Sequence, residues 1–169
     1  MSQETESQNK VITFTSSRFG ELSVPADSVM EFPSGVIGFP KAHKYVMLEH
    51  KHPFSWLHSV DEPNLAFVVV DGFEFGQQFD VKPPIGDKET DFKEDDEYAI
   101  LIIVTVRSDP RLTTANLKAP LFVNMRNRTG VQVIFDDARY STRYPLWAED
   151  TKEEGATDSS PEANKEENK

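Results

Sequence analysis

Tyr98-Ala99-Ile100-Leu101-Ile102-Ile103-Val104-Thr105-Val106 is the stretch that decides the fold. It is apolar at both parities and rich in β-branched residues, which favours a strand over a helix. Successive side chains of a strand point to opposite faces, so a strand of this composition needs cover on both sides. It also has to be central, because an exposed edge so apolar would template aggregation. A spanning helix needs about 20 apolar residues, so the run is too short to cross a membrane.

Outward from this strand, the chain reads as short apolar runs divided by turn chemistry. Val11 to Phe14 and Glu21 to Val24 flank a hairpin turn, SSRFG. Lys44 to His50, Phe54 to Val60 and Leu65 to Asp71 are three further strands, with a Pro-containing HKHP turn and a DEPN turn between them. Leu121 to Asn124 and Val131 to Phe135 follow, with NRTG as the turn. No window carries a helical stripe. Asp87 to Glu97 is expected to hold one short helix, and Thr113 to Leu117 another turn capped by Thr113. The expectation is an all-β single domain of eight or nine short strands over 11–148, closed or nearly closed into a barrel-like sandwich.

The polar residues concentrate at the ends. Residues 1–10 are expected to be disordered, as is an acidic tail over 149–169, which has no aromatic residue and no aliphatic residue larger than Ala. The chain starts with no apolar stretch of the secretory kind. It has no Cys, which excludes disulfides, thiolate metal sites and a cysteine nucleophile.

Net charge is −11, which disfavours bulk nucleic-acid binding. The charge is uneven. Residues 1–103 are net −10, residues 104–146 net +4 and residues 147–169 net −5. Six of the seven Arg lie between Arg107 and Arg143, so the choice is between pairing with acids of the first block across a sheet and a basic patch for an acidic partner.

Catalytic constellations are weak. His43, His50, His52 and His58 lie close in sequence, but no acidic third ligand stands at a matching offset, and exposed loop histidines are the simpler reading. His58, Ser59 and Asp61 have the residue types of a hydrolytic triad, yet strand neighbours face opposite ways. Asp95-Asp96-Glu97 and Asp136-Asp137 read as solvated acidic faces. Gly35 and Gly38 lack the strand–helix grammar of a phosphate loop and read as turn glycines. Most Phe residues fall inside apolar runs and read as core. What the residues alone support is a binding domain with no visible catalytic apparatus.

Three segments go further together. Phe19-Gly20-Glu21-Leu22 leads into Phe32-Pro33-Ser34-Gly35-Val36-Ile37-Gly38-Phe39-Pro40. Pro53 to Asp61 (PFSWLHSVD) precedes Leu65 to Asp71 (LAFVVVD). Thr113 to Asn124 (TTANLKAPLFVN) precedes Gln132 and Tyr140 to Leu146 (YSTRYPL). This ordering, from about Val11 to Leu146, resembles the flagellar assembly factor FliW family. His58 stands where the family usually has Gln, and Gly72 where Pro is common.

The resemblance implies a small antiparallel β-barrel-like domain, with one or two short helical turns, that acts by binding proteins. The implied partners are flagellin and CsrA, the repressor of flagellin translation. Bound FliW keeps CsrA off the message, and accumulating flagellin captures FliW. It further implies no enzymatic activity, cofactor, metal or small-molecule substrate, no direct nucleic-acid or membrane binding, and action in the cytoplasm. The runner-up is a β-barrel module that binds single-stranded nucleic acid through the Arg-rich segment 107–143.

Phe32, Pro33, Gly35, Gly38 and Phe39 are expected to build a structural turn, with Trp56, Leu117 and Pro120 as further structural positions. The DEPN turn with Asp61, Glu62 and Asn64, and the turn with Asn124, Arg126 and Arg128, are the candidate protein contacts, because loops on a rigid scaffold carry function. Asn116 is expected to fix its own loop, with partner contact as its alternative role.

Overall fold

The computed structural model describes residues 10–147. The expected tails, 1–10 and 149–169, lie outside the described residues, apart from Lys10. Eleven strands follow in chain order. They are β1 (Val11–Ser16), β2 (Gly20–Pro25), β3 (Met30–Glu31), β4 (Lys44–Glu49), β5 (Phe54–Ser59), β6 (Ala66–Asp71), β7 (Tyr98–Thr105), β8 (Thr114–Ala115), β9 (Leu121–Asn124), β10 (Thr129–Gln132) and β11 (Tyr144–Pro145).

The strand at Tyr98–Thr105 is central and bonded on both edges. One edge pairs with β6, from Val68↔Val104 to Asp71↔Leu101. The other edge is divided. Tyr98 to Leu101 pair with β9, and Val104 and Thr105 pair with β8. The β9 pairing closes a ring, β7-β6-β5-β4-β3-β10-β9 and back to β7. β8 and β11 extend from the ring as a flap, and among the described residues β11 is the free edge of the sheet. Its Pro145 has no N–H to offer a further strand.

The ring has seven strands, and an odd ring cannot alternate direction all the way round. At least one neighbouring pair has to run parallel. That pair is β3 with β10, joined at Thr129↔Glu31. The expectation of an antiparallel barrel is thus corrected at one seam, while every other pairing is antiparallel.

Both faces of β7 are covered. Met30, Phe32, Tyr45, Leu57, Val69, Leu101, Leu121 and Val123 form one cluster with a member from six of the seven ring strands, which makes it the barrel interior. The opposite parity, Ile100, Ile102 and Val104 with Phe122, packs beneath Phe79, Val81, Phe92, Leu117 and Tyr140. These belong to connections that fold over the outside of the barrel. The seventh ring strand, β10, contributes space. A Cβ on Gly130 would lie 2.4 Å from the ring of Phe32, which is fully buried.

Local expectations fail where tertiary pairing competes. Asp87–Glu97 forms turns, because its carboxylates cap nearby backbone N–H groups. Asp87 Oδ2 accepts from Glu89 and Thr90, and Asp96 Oδ2 accepts from Lys93. Thr114–Ala115 is strand β8 rather than helix, since it lies on the open part of the β7 edge. The helical turns are 3-10 segments at Ala26–Ser28, Gly72–Gln78 and Pro110–Leu112. The strand expected at Val131–Phe135 runs instead over Thr129–Gln132, set by the Asn124↔Thr129 pairing, and 133–135 lie outside it.

Substituting Gly130→Ala forces a methyl into the ring of Phe32. Overpacking of this kind costs about 1–3 kcal/mol. The expected result is a lower urea midpoint at unchanged slope, measured by equilibrium unfolding.

Candidate protein-interaction surface

Strand direction assigns the turns to the two ends of the barrel. β5 and β7 run toward one end, β4, β6 and β9 away from it. The 61–64 turn and the loop that follows β3 share the first end. The turn joining β9 to β10 lies at the opposite end. The two polar turns singled out in the sequence therefore do not share a face.

At the first end, Gly38, Phe39, Pro40, Lys41 and Ala42 face Glu62, Asn64 and Leu65 across an apolar cavity of about 540 Å³. The loop is held hard. Gly35 has φ +73°, and a Cβ there would lie 2.4 Å from Phe39 O, so only glycine fits. Gly35 N donates to Phe32 O, Phe39 N to Val36 O, and Ala42 N to Phe39 O. Ile37 N donates to Gln132 Oε1 at 2.8 Å, and Gln132 Nε2 donates to Ala119 O at 2.9 Å. Asn116 Oδ1 in turn accepts from Lys118 N and Ala119 N. Asn116 fixes its own loop, and that loop braces Gln132, which braces Ile37.

The braced loop displays apolar side chains. Phe32 is buried, and Pro33 is half-buried. Ile37 is 58% exposed and Phe39 43%, with Phe39 set edge-on to Phe67. Ile37, Lys41 and Leu65 were not among the sequence candidates. The available signal was an Ile between two turn glycines, where burial is hard to arrange.

The 61–64 turn is exposed, and its carboxylate is committed locally. Asp61 Oδ2 accepts from His43 N at 2.8 Å and Lys44 N at 3.0 Å. Ser59 Oγ accepts from Asp61 N and Glu62 N. Asn64 Oδ1 accepts from Ser17 Oγ, tying the turn to the β1–β2 hairpin. Burial, with Asp61 and Glu62 nearby, pushes the Tyr45 hydroxyl up to about 12.

His58 is corrected from an exposed loop histidine to a buried one, 1% exposed. Ser16 Oγ already accepts from Arg18 N and Phe19 N, so its own proton goes to His58 Nε2 at 2.8 Å. That leaves the ring proton on Nδ1, donated to Ser59 O at 2.8 Å. With Phe14 packed on its ring, His58 fastens the hairpin to the barrel and takes no part in a triad. Among the described residues no group of three or more His, Asp or Glu is placed to hold a metal ion.

At the opposite end, Asn124 is corrected from a surface candidate to a buried residue at 0% exposure. Its Nδ2 donates to Thr90 O and Asp96 Oδ2, and its Oδ1 accepts from Arg126 N. Arg126 pairs with Asp96 at 2.9 Å and Asp91 at 3.4 Å. Hydrogen bonds from the Arg126 side chain and the Lys93 backbone hold Asp96 down at about 2. Arg128 is half-buried, with φ +58°, and donates to Ser28 O. Of the six clustered Arg, Arg126 reaches acids of the first block. Arg111 and Arg139 pair instead with Asp109 and Asp137, two residues before each.

Trp56 is half-buried, with Arg18 over its ring at 4.6 Å. Leu117 and Pro120 are buried. No helix among the described residues is long and apolar enough to cross a membrane.

Two outcomes follow from these networks. His58→Ala strands the Ser16 hydroxyl and opens a cavity, with an expected loss of about 2–4 kcal/mol. His58→Gln keeps an acceptor and loses less, and urea unfolding ranks the two. Arg126→Ala removes the largest cause of the low Asp96 value. A depressed carboxylate contributes stability that is present above its ordinary value of 3.8 and is lost as pH falls toward 2. In Arg126→Ala, Asp96 titrates closer to 3.8 by carboxyl NMR, and the acid arm of the unfolding curve moves to higher pH.

Known proteins share this architecture. The sequence model of the FliW protein family matches residues 13–146. A flagellar assembly factor FliW of Natranaerobius thermophilus is 37% identical over 147 residues, covering 84% of this chain and 97% of that protein. One from Geobacter sulfurreducens is 36% identical over 136 residues, covering 79% and 85%. A crystal structure of the flagellar assembly factor FliW aligns with TM-score 0.72 at 27% identity, covering 80% of this chain and 96% of that one. The matched span takes in every barrel strand, the flap and the network from Asn116 to Ile37, and the chain belongs to the FliW family.

Proposed function

We propose that this chain is a regulatory binding protein of flagellar assembly that takes CsrA and flagellin as alternative partners. Its family membership over 13–146 carries the reading. In this reading, two ligands draw on one limited pool, and occupancy follows relative affinity and concentration. Binding to CsrA relieves repression of flagellin translation, and flagellin that accumulates in the cytoplasm takes the protein back.

The loop-end surface supports a binding role. Exposed apolar side chains on a loop already braced by hydrogen bonds lose little freedom on association, which favours affinity. Asp61, Glu62 and Asn64 border that surface and are proposed as its polar rim. Asn116 acts through the loop it positions. Arg126 and Arg128 lie at the other end and would meet a different partner or a different part of the same one. The nucleic-acid alternative is less well supported, because the six Arg do not line one groove. Arg126 and Arg128 sit at the end opposite Arg107, and Arg126 is engaged by two carboxylates.

Calorimetric titration against CsrA and flagellin from the same organism tests the proposal, followed by flagellin added to the preformed CsrA complex. Both partners bind, and flagellin displaces CsrA. Ile37→Asp weakens one of the two affinities by about tenfold or more, the scale of a hot-spot residue. Binding of flagellin without CsrA would reduce the role to that of a flagellin chaperone, and binding of neither would overturn the reading.

A further inference from the structure

The end of the barrel opposite the braced loop holds a break in its wall. β7 begins at Tyr98, but β6 pairs with it only as far as Asp71↔Leu101. The chain turns away at Gly72, packed so closely on Ile100 that a Cβ would lie 2.5 Å from Ile100 Cγ2. Residues 98–100 are thus paired in the sheet with β9 alone. Beside them lies a cavity of about 430 Å³, whose lining includes Met47, Ser55, Val69, Phe73, Tyr98 and Ala99.

Both faces of the wall reach this break. Met47 and Ser55 stand opposite Leu57 and Val69, so they face the barrel interior. Met47 is nonetheless 39% exposed, because the interior opens here. On the outer side Phe73 is 56% exposed, with its ring 5.7 Å from that of Tyr98.

The rim is acidic. Asp71 and Glu74 line the cavity, no Lys or Arg does, and neither acid is in an ion pair among the described residues. Asp71 Oδ1 accepts from Phe73 N. Next to the lining stand Glu97, before Tyr98; Glu49, opposite Ser55; and Lys51, before His52. Four acids therefore face one cation. Further out, Lys82, Lys93 and Arg126 are each paired with a carboxylate, of Asp80, Asp91 and Asp96. Arg143 adjoins Tyr144, which lines the neighbouring groove beyond Glu74.

We propose that this break takes an extended segment of another protein, in which apolar residues alternate with Lys or Arg. The segment lies along 98–100 as a continuation of β6, with its backbone bonded to the open edge. Side chains of a strand alternate between faces. One set enters the barrel mouth among Met47, Val69 and Leu101. The other meets Asp71, Glu74 and the rings of Phe73 and Tyr98, a setting that favours a cation on an apolar stem. The same carboxylates repel a nucleic-acid strand. The site lies at the end opposite the Ile37 loop and needs neither CsrA nor flagellin.

The test adds a short capped peptide of alternating Val and Lys to the full chain, followed by amide NMR at roughly 20 mM NaCl. Amides of Ser55, Phe73 and Ala99 shift, those of Ile37 and Leu65 do not, and at least one amide among 98–100 exchanges more slowly. Asp71→Asn with Glu74→Gln keeps the acceptor for Phe73 N and weakens the peptide at least about fivefold. Raising NaCl to about 500 mM weakens it as well. A peptide of the same composition in two blocks, Val then Lys, binds more weakly than the alternating one. The proposal is overturned if Ser55, Phe73 and Ala99 do not shift, or if the block peptide or a Val–Glu peptide binds equally well. Spermidine that reproduces the shifts also overturns it, as the break would then be a small-cation site. So do shifts of these amides on dilution of the chain alone, which would mark a contact between copies.

Discussion

β7 holds the molecule together through the division of one of its edges. A single strand pairs with β6 along one side and with two unrelated strands, β9 and β8, along the other. The first partner closes the barrel and the second begins the flap. Its both-sided apolarity follows from this position. Odd-numbered residues from Ala99 to Ile103 serve the barrel interior, and Ile100, Ile102 and Val104 serve the outer layer beneath the long connections. β6 and β9 share both duties over shorter runs, with Val69, Leu121 and Val123 inside and Val70 and Phe122 outside.

Closure with seven strands separates the two ends chemically. One end carries the braced apolar loop and the 61–64 turn. The other carries the Arg126–Asp96–Asn124 network, in which Asp96 accepts from both Asn124 and Arg126. The first end displays exposed apolar side chains, and the second ties the 87–97 connection to β9. The network from Asn116 through Ala119 and Gln132 to Ile37 joins segments distant in sequence in the bracing of one loop.

Much of the fold was legible from the sequence because the strands that matter are long, apolar and bounded by turn residues. The hairpin and β4 to β7 fall where the alternation placed them. What was missed depends on partners far away in sequence. Thr114–Ala115 has helical turn chemistry, but the open edge of β7 takes it as a strand. His58 was grouped with three histidines close by in sequence, yet Ser16, 42 residues earlier, gives it a buried partner. Asn124 ends a strand before a polar turn, the usual grammar of an exposed residue, and it is buried because the 87–97 connection folds over it. Ile37 was overlooked as a surface residue because an aliphatic side chain in a motif reads by default as core.

The parallel seam has a consequence for how the barrel is made. β4 to β6 are joined by short turns and can form as a local meander. Their register depends on nothing distant. β3 meets β10 across about a hundred residues, through a ladder that is one residue pair long, Thr129↔Glu31. Loop-closure entropy falls on that contact more heavily than on the meander's, with few bonds to offset it. Assembly order is thereby written into the topology. The meander serves as template, and the seam is the last stave of the barrel to be set and the first to spring.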